Sequence, residues 1–277
     1  MDLYKLTQEV EPYVIAMRRE FHANPEISFH EVRTTARIRE ELDKLGIPHE
    51  TVGSGNVVGL LDTGRPGKTL SIRADIDALP MEEADKTTPY CSKVDGVMHS
   101  CGHDGHAAML LGTAKVLAQI QEELTGKIYF CFQVAEEVGG SAGEIVQYLK
   151  EQGGVDCSIG THLDGGSDAG VIHLPDGPLM AGAELFEIEV KGVGGHGSRP
   201  DKAVDPIKPA CDILLRITGA APTTSCRRAC RSGGISASLS MGTTTNCWSG
   251  SAWWRKTPPR LTALQRWSPM RHPPPFR

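Results

Sequence analysis

The chain has 277 residues, of which 39% are apolar and 23% charged, and its formal net charge is −5. This composition is typical of a globular protein with one large domain or two modest ones, and it excludes a collagen-like, coiled-coil or disordered chain. No run approaches the roughly 18 unbroken apolar residues of a membrane helix. The first residues also lack the basic and apolar segments of a secretory signal. These features predict a cytoplasmic protein without a membrane partner.

Charge and composition change abruptly near residue 218. Residues 218–277 contain eight Arg, one Lys and no Asp or Glu, whereas residues 1–217 carry a net charge of −14. All four Trp and three of the eight Cys lie in this last segment. The five Cys of residues 1–217 are irregularly spaced, which favours reduced thiols, some of them available to a metal, over a disulfide framework.

The N-terminal half alternates between helical patterns and apolar strands. Apolar residues recur at helical spacing from Val10 to Phe21, up to the break at Asn24-Pro25. Further patterns predict helices over 31–45, 105–117 and 143–150, and strands over 56–61, 69–73, 127–133 and 155–160. The first three of these strands are almost uninterrupted in hydrophobicity, as in strands covered on both faces. The alternation predicts an α/β sheet with helices on both sides.

The pattern changes after residue 174. Residues 184–190 alternate, with Phe186, Ile188 and Val190 on one face, which predicts a half-exposed antiparallel strand. A glycine-rich turn and a helix over 205–217 follow. We therefore expect a catalytic domain over 1–182, part of a small α+β lid or dimerisation domain over 183–217, and an aberrant, disordered basic tail over 218–277.

Polar clusters directly follow three of the predicted strands. They are Arg73-Ala-Asp75-Ile-Asp77, Glu136-Glu137 and Thr161-His162. A fourth cluster, Cys101-Gly-His103-Asp-Gly-His106, begins the helix over 105–117. In an open α/β sheet, ligands bind outside the carboxyl ends of the strands. The four clusters converge if the strands are parallel neighbours.

Thiolate, imidazole and carboxylate groups are the ligands that suit zinc and similar divalent metals. One glutamate of the adjacent pair could bind metal while the other accepts a proton from activated water, which is the arrangement that metal-assisted hydrolysis needs. Each group also has an ordinary structural interpretation: an incidental Cys-x-His pair, a solvated acidic helix N-terminus or an Arg73–Asp75 ion pair. Their ordered placement at strand ends favours function.

Six ordered stretches give the sequence a clear resemblance. They are RREFHANPEISFHE (18–31), RADIDALPMEE (73–83), MHSCGHDGHAAMLLG (98–112), FQVAEE (132–137), GTHLD (160–164) and GVGGHGSRPDKAVDPI (192–207). Over about residues 10–217, the chain resembles the amidohydrolase branch of the zinc-peptidase superfamily, which includes hippurate hydrolase, N-acyl-amino-acid amidohydrolases and auxin-conjugate hydrolases. The resemblance implies a zinc-peptidase-like (phosphorylase/hydrolase-like) α/β catalytic sheet followed by the start of a lid.

The same resemblance implies a centre of two divalent ions (Zn, Mn, Co or Ni). The residues that match its ligands are Cys101, His103, Glu137 and His162. Glu136 matches the general base, and His196 in the glycine-rich turn matches the group that stabilises the oxyanion, often across a dimer interface. Asp77 fits either a carboxylate that orients a ligand or a structural hydrogen-bonding group, whereas His106 and His22 are expected to support the fold.

The tail departs from this family. Relatives continue for more than a hundred residues and supply a further histidine ligand, whereas His272, the single histidine after residue 217, lies in an unrelated Pro-rich context. We predict that residues 218–277 arise from a shifted reading frame, so that the C-terminal half is missing and this chain has little activity. The alternative, a basic tail that contacts nucleic acid through Arg and Trp, lacks any recognised module, and no nucleic-acid partner is expected.

The predicted activity is hydrolysis of the amide bond in small N-acyl amino acids, such as hippurate-like or N-acetyl substrates. Glu136 would move the proton to the leaving amine and His196 would stabilise the oxyanion. Two alternatives stay open: an amidase with Cys101 as covalent nucleophile and His103 or His106 as base, and a non-catalytic remnant. The family also implies a homodimer, formed through lid surface that this sequence largely lacks.

Overall fold

The computed structural model describes residues 2–174, 176, 182–216, 220–231 and 234–245. The chain divides into two compact units, Met1–Asp168 and Ala169–Arg277. The division lies within the segment over which we expect the catalytic domain to continue, so the proposed boundary at 182 stays a prediction.

The first unit contains four α-helices and five strands among the described residues. They are α1 (Leu3–Ala23), α2 (Val32–Lys44), β1 (His49–Val52), β2 (Asn56–Asp62), β3 (Thr69–Asp75), α3 (His103–Gln119), β4 (Lys127–Gln133), α4 (Ala142–Glu151) and β5 (Cys157–Gly160). Every helix and strand predicted for this unit is present, with ends shifted by a few residues. β1 is an addition: it is short and mostly polar, so it has no clear hydrophobic pattern.

The strands form one mixed sheet in the order β1-β2-β4-β3-β5. β3 pairs in parallel with both β4 and β5, whereas β2 runs antiparallel to β4 and to β1. The carboxyl ends of β4, β3 and β5 therefore lie side by side at one edge. These are the three strands that the polar clusters follow, so the expected convergence is confirmed at the level of topology.

Helices cover both faces of this sheet, as predicted. On one face, Phe130 and Phe132 of β4 are fully buried in a core that also contains Phe21 of α1, Leu42 of α2 and Leu111 of α3. On the other face, a smaller cluster joins alternate residues of the same strand to α4; its members are Val52, Val58, Tyr129, Cys131, Ile145 and Leu149. The alternation of side chains along a strand explains why one nearly continuous apolar run fills two cores.

The second unit contains β6 (Gly182–Lys191), α5 (Ile207–Arg216), β7 (Ala220–Arg231) and β8 (Gly234–Thr245). β6 and α5 correspond to the predicted strand and helix. The strands form an antiparallel sheet in the order β6-β8-β7. Two of these strands lie between 220 and 245, within the segment 218–277 that we expect to be an aberrant, disordered tail. Residues 246–277 lie outside the described part of the chain, and that expectation stays a prediction.

Within the described ranges, no helix is long and apolar enough to cross a membrane.

Candidate metal centre

The polar clusters meet at the carboxyl edge of β4, β3 and β5. Glu136 and Glu137 follow β4, Asp75 ends β3, and His162 follows β5. Among the described residues, three overlapping groups have their ligand atoms within 4.8 Å of one another: Cys101–His103–His162, Asp75–His103–His106 and His103–Glu136–Glu137. His103 belongs to all three groups and therefore lies at the centre of the site.

A left-handed glycine places Cys101 beside His103. Gly102 has φ +86° and precedes the first residue of α3. This conformation is unfavourable for residues with a Cβ but is readily adopted by glycine. The turn lets the Cys101 sulfur lie 3.4 Å from His162 Nε2, while His103 projects from the first turn of the helix.

His103 is fixed by a buried carboxylate. Its Nδ1 donates to Asp77 Oδ1 at 3.1 Å, and both side chains are completely buried. Asp77 Oδ2 in turn accepts hydrogen bonds from Ser28 Oγ at 2.7 Å and from the backbone N–H of Glu137 at 3.0 Å. Asp77 thus fixes the orientation of the His103 ring, and this geometry fits both alternatives that the sequence left open for Asp77, a carboxylate that orients a metal ligand and a structural hydrogen-bonding group.

The hydrogen bond to Asp77 leaves His103 Nε2 directed into the cluster. This atom is buried and has no hydrogen-bond partner, and the same is true of Glu137 Oε1. The two atoms are 3.8 Å apart. Buried polar atoms without partners are rare in native proteins. A cation between them would satisfy both, so the residues present fit a divalent metal.

The electrostatic surroundings also suit a cation. Burial alone would lower the pKa of His103, but the hydrogen bond to Asp77, together with the nearby Cys101 thiol and Asp75 carboxylate, raises it to about 11. Burial raises the pKa of Glu137, an effect that its interactions with Cys101 and His103 partly offset. The Cys101 sulfur and a Glu137 oxygen each lie within 4.8 Å of an imidazole nitrogen of His103, so the thiol and the carboxyl lie on the same side of the sheet. An environment that holds a proton on His103 this strongly also favours a metal ion.

His162 directs its Nε2 atom to the same side. Its Nδ1 donates to the carbonyl oxygen of Leu163 at 2.7 Å, so Nε2 keeps its lone pair and faces the Cys101 sulfur. His162 is exposed and Cys101 is half-buried. The structure thus brings together Cys101, His103, Glu137 and His162, the four residues predicted as ligands.

His106 supports the site without an available nitrogen. Its Nδ1 donates to Asp75 Oδ1 at 2.5 Å, and its Nε2 accepts the backbone N–H of Leu163 at 2.8 Å. Asp75 also pairs with Arg73 at 2.8 Å, the ion pair considered from the sequence. Because both ring nitrogens are used, His106 has none left to act as a base for Cys101.

The two adjacent glutamates differ in exposure. The Glu136 side chain is 39% exposed and that of Glu137 is 20% exposed, and each has an oxygen within 4 Å of His103 Nε2. The more accessible carboxylate can exchange protons with water or substrate, whereas the more buried one can serve as a fixed ligand. The separate roles predicted for Glu136 and Glu137 stay predictions, with which this difference in exposure is compatible.

His196 lies in the second unit, in the turn between β6 and α5. Its Nδ1 accepts the backbone N–H of Ser198 at 3.2 Å and contacts Ser198 Oγ at 2.8 Å. A neutral ring with Nδ1 as acceptor carries its proton on Nε2. The exposed imidazole can therefore donate from Nε2, as an oxyanion-stabilising group must.

A second group of buried polar residues, which the sequence did not predict, lies beside the site. His22 bridges two carboxylates, donating from Nδ1 to Asp104 at 2.8 Å and contacting Glu83 at 3.0 Å through Nε2. His99, which is 5% exposed, has neither ring nitrogen hydrogen-bonded. Burial lowers the pKa of His99 to about 4, so this ring is neutral. His22 has the supporting position expected for it; nothing in the spacing distinguished Glu83 or His99.

A known protein family matches more than half of the chain. The sequence profile described as Peptidase family M20/M25/M40 matches residues 71–251. The chain belongs to this family. The match extends beyond residue 217, where the resemblance seen in the sequence ends, so the proposed shifted frame from 218 onward stays a prediction.

Individual members of the M20 family give the same picture. The chain is 42% identical over 218 residues to the N-acyl-L-amino acid amidohydrolase of Geobacillus stearothermophilus, covering 78% of this chain and 58% of that protein. It is 44% identical over 217 residues to thermostable carboxypeptidase 2 of Saccharolobus solfataricus, covering 76% and 54%. The chain therefore spans little more than half the length of these relatives.

A solved M20 structure is also similar. The crystal structure of a dinuclear metal-binding peptidase of the M20 family from Bacillus subtilis aligns with a TM-score of 0.66 and 34% identity, covering 86% of this chain and 65% of that one. The predicted α/β zinc-peptidase-like fold is thereby confirmed.

Proposed function

We propose that this chain is a metal-dependent amidohydrolase that cleaves the amide bond of small N-acyl amino acids. The observation that carries the proposal is the pair of buried, unpartnered atoms, His103 Nε2 and Glu137 Oε1, which face each other at 3.8 Å among further metal-binding groups. The N-acyl-L-amino acid amidohydrolase of Geobacillus stearothermophilus supports the substrate class. The coordinating residues would be Cys101, His103, Glu137 and His162.

Two divalent ions are proposed because the ligand atoms form adjoining groups that share His103. Cys101 and His162 form one of these groups with His103, and the two glutamates form another. Bound ions would lower the pKa of water and polarise the acyl carbonyl. The mixture of thiolate, imidazole and carboxylate suits zinc and its neighbours better than magnesium or calcium.

Three side chains of the protein would then transfer the proton, stabilise the oxyanion and orient His103. Glu136 would accept a proton from the attacking water and deliver it to the leaving amine nitrogen, since its carboxylate is exposed enough to reach both. His196 would donate from Nε2 to the oxyanion that develops on the scissile carbonyl. Asp77 would hold His103 in the tautomer that directs Nε2 into the site.

The two adjacent glutamates provide a matched test. The full-length chain and its Glu136→Gln and Glu137→Gln variants are prepared without metal, loaded with Zn²⁺ or Co²⁺, and assayed for bound metal and for hydrolysis of N-acetyl and N-benzoyl amino acids. Glu136→Gln should keep its metal, and the hydrolysis that the unmodified chain retains should fall by at least 100-fold. Glu137→Gln should lose metal as well.

Other outcomes would favour the alternatives. Metal binding without turnover in the unmodified chain would favour a non-catalytic remnant. Hydrolysis that persists in a chelator and disappears on alkylation of thiols would favour Cys101 as a nucleophile, with His103 as the base since His106 has no available nitrogen.

A further inference from the structure

A strained turn presents the two adjacent glutamates. Ala135, which directly precedes Glu136, is fully buried and has φ +54°, a conformation that non-glycine residues rarely adopt. The turn closes on itself, because the N–H of Gly140 donates to the carbonyl of Ala135 at 2.9 Å and that of Gly139 donates to the carbonyl of Glu136 at 2.8 Å. Strained residues persist where the surroundings hold them.

Side chains from distant parts of the sequence continue the hydrogen bonding of β4 into this turn. The N–H of Val134 donates to Asn56 Oδ1 at 3.0 Å, and the N–H of Ala135 donates to Glu31 Oε1 at 2.7 Å. Glu31 immediately precedes α2, and the residue is only 4% exposed. Its carboxyl oxygen therefore takes the place of a backbone acceptor at the strained residue.

The segment that ends at Glu31 also holds the other carboxylate loop. Ser28 Oγ donates to Asp77 Oδ2 at 2.7 Å, and the N–H of Ala78 donates to the carbonyl of Glu26 at 2.8 Å. Ile27 forms an isolated parallel bridge with Ala78. Residues 26–31 thus connect the loop after β3, which carries Asp77, with the loop after β4, which carries Glu136.

The Phe29 ring closes the remaining side of the turn. A Cβ added to Gly140 would lie 2.5 Å from Phe29 Cζ and 3.1 Å from the Ala135 carbonyl oxygen. Phe29 itself has φ +65°. Two strained residues from separate loops therefore meet at the glycine that ends the turn, which leaves little freedom for the backbone that carries Glu136 and Glu137.

From these contacts we infer that Glu31 is a positioning residue for the metal centre: its buried carboxyl holds the Ala135 N–H and thereby fixes the left-handed turn that directs Glu136 and Glu137 toward His103. The inference deepens the proposed function and rests on it for its consequence in metal binding. The contact between Glu31 and Ala135 is local to the turn and can be measured without a metal.

Substitutions of Glu31 can separate the effect of its hydrogen-bond acceptor from the effects of its charge and its volume. Glu31→Gln keeps an oxygen acceptor, whereas Glu31→Leu has similar volume and no acceptor. Glu41→Leu is the matched control, because Glu41 is a buried glutamate within α2, 5% exposed, whose partners are Tyr13, Arg37 and Lys44 and not the turn. Ala135→Gly added to Glu31→Leu tests strain, since glycine adopts positive φ readily.

Hydrogen–deuterium exchange of the metal-free full-length chain reads out the turn directly. In Glu31→Leu, peptides covering residues 132–138 should exchange at least tenfold faster than in the wild type. Glu31→Gln and Glu41→Leu should leave the exchange of this segment, relative to the other core peptides, within about twofold of the wild type. Cobalt titration should then show about tenfold weaker binding for Glu31→Leu, with partial recovery when Ala135→Gly is added.

The exchange measurement tests the role of Glu31 in the turn, and the metal measurement tests the proposed function, so the two can be contradicted separately. A wild-type chain that binds no cobalt contradicts the proposed function, while faster exchange in Glu31→Leu still supports the role of Glu31 in the turn. Unchanged exchange in Glu31→Leu overturns the inference whatever the metal result. If Glu31→Leu does not fold, the folded variant Glu31→Gln provides the test, because it keeps the acceptor. Rapid exchange of residues 132–138 in Glu31→Gln overturns the inference, whereas protection of this segment as in the wild type supports it.

Discussion

His103 Nδ1 and Asp77 Oδ1 lie 3.1 Å apart, and both side chains are completely buried. Burial opposes ionisation of Asp77, but hydrogen bonds from His103, Ser28 and the Glu137 backbone keep its pKa below the ordinary value. An ionised carboxylate behind the imidazole fixes the ring and makes Nε2 a better ligand. The chemistry of the site therefore depends on a residue that does not itself face the proposed ions.

Replacing this carboxylate should weaken metal binding. We expect Asp77→Ala to raise the dissociation constant for Co²⁺ by about 10- to 100-fold, because His103 loses its orienting partner. Competition with a chromophoric chelator measures the affinity. Asp95→Ala, which removes an exposed carboxylate, serves as the control and should bind as the wild type does. Equal affinity in the two variants would show that Asp77 has a structural role only.

His106 should behave differently from the neighbouring His103. His106→Leu leaves both Asp75 Oδ1 and the Leu163 N–H without their buried partner. We expect the free energy of unfolding to fall by about 2 kcal/mol, as measured by urea denaturation, with the number of bound metal ions unchanged. His30→Leu, at an exposed position, controls for the loss of an imidazole. A loss of about one bound ion per chain in His106→Leu would show that His106 is a metal ligand.

The sequence predicted the convergence of the site because polar clusters follow the predicted strands directly. β4 carries a long apolar run, and the carboxyl ends of β3 and β4 necessarily meet once they pair in parallel. The antiparallel direction of β2 could not be read from its sequence, because a strand buried on both faces looks the same in either direction. The polar β1 has no hydrophobic pattern at all.

Long-range hydrogen bonds explain what the sequence could not reveal about the site. The Glu31–Ala135 contact joins residues 104 positions apart, and Ala135 gives no sign of its positive φ, since such conformations are usually marked by glycine. Glu31 occurs in one of the resemblance stretches, but no neighbouring residue in the sequence indicates which group its side chain contacts. Metal-binding residue types can be recognised from composition and order, whereas the groups that hold their backbone cannot.

The buried Glu31 should make stability depend on pH. Burial, with smaller contributions from Asp77 and Glu26, raises its pKa to about 7 in the folded chain, against 4.5 as the ordinary value. The folded state therefore binds more protons than the unfolded state between these values, so stability falls as pH rises from about 4.5 to 7. The difference in free energy of unfolding between Glu31→Gln and the wild type should therefore shift in favour of the variant by roughly 2 kcal/mol from pH 5 to pH 8.

Urea denaturation at these two pH values measures that gain. Glu41→Gln is the control, because salt bridges and hydrogen bonds lower the pKa of Glu41 despite its burial. Its stabilising contribution is lost only as pH falls through the lowered pKa, so the difference between Glu41→Gln and the wild type should stay nearly constant from pH 5 to pH 8. A constant difference for Glu31→Gln as well would mean that Glu31 titrates normally.

Gly102 and Gly96 have similar left-handed backbone conformations, so substitutions at these two positions can separate the effect of backbone strain on stability from an effect on metal binding. Gly102 and Gly96 have φ +86° and +70°, and neither would bring a new Cβ closer than 3.4 Å to another atom. Alanine at either position should therefore cost about 1–2 kcal/mol of stability from backbone strain alone. Gly102 separates Cys101 from His103, whereas Gly96 lies in an exposed loop.

Only Gly102→Ala should affect the metal. The strain can be relieved by rotating the turn, which would move the Cys101 sulfur away from His162 and His103, so we expect Co²⁺ affinity to fall about tenfold. The thiolate-to-cobalt absorption band should weaken in parallel, because it reports directly on the sulfur ligand. Gly96→Ala should lose a similar amount of stability while affinity and absorption stay unchanged. An intact band in Gly102→Ala at wild-type affinity would mean that the left-handed turn is not needed to place Cys101.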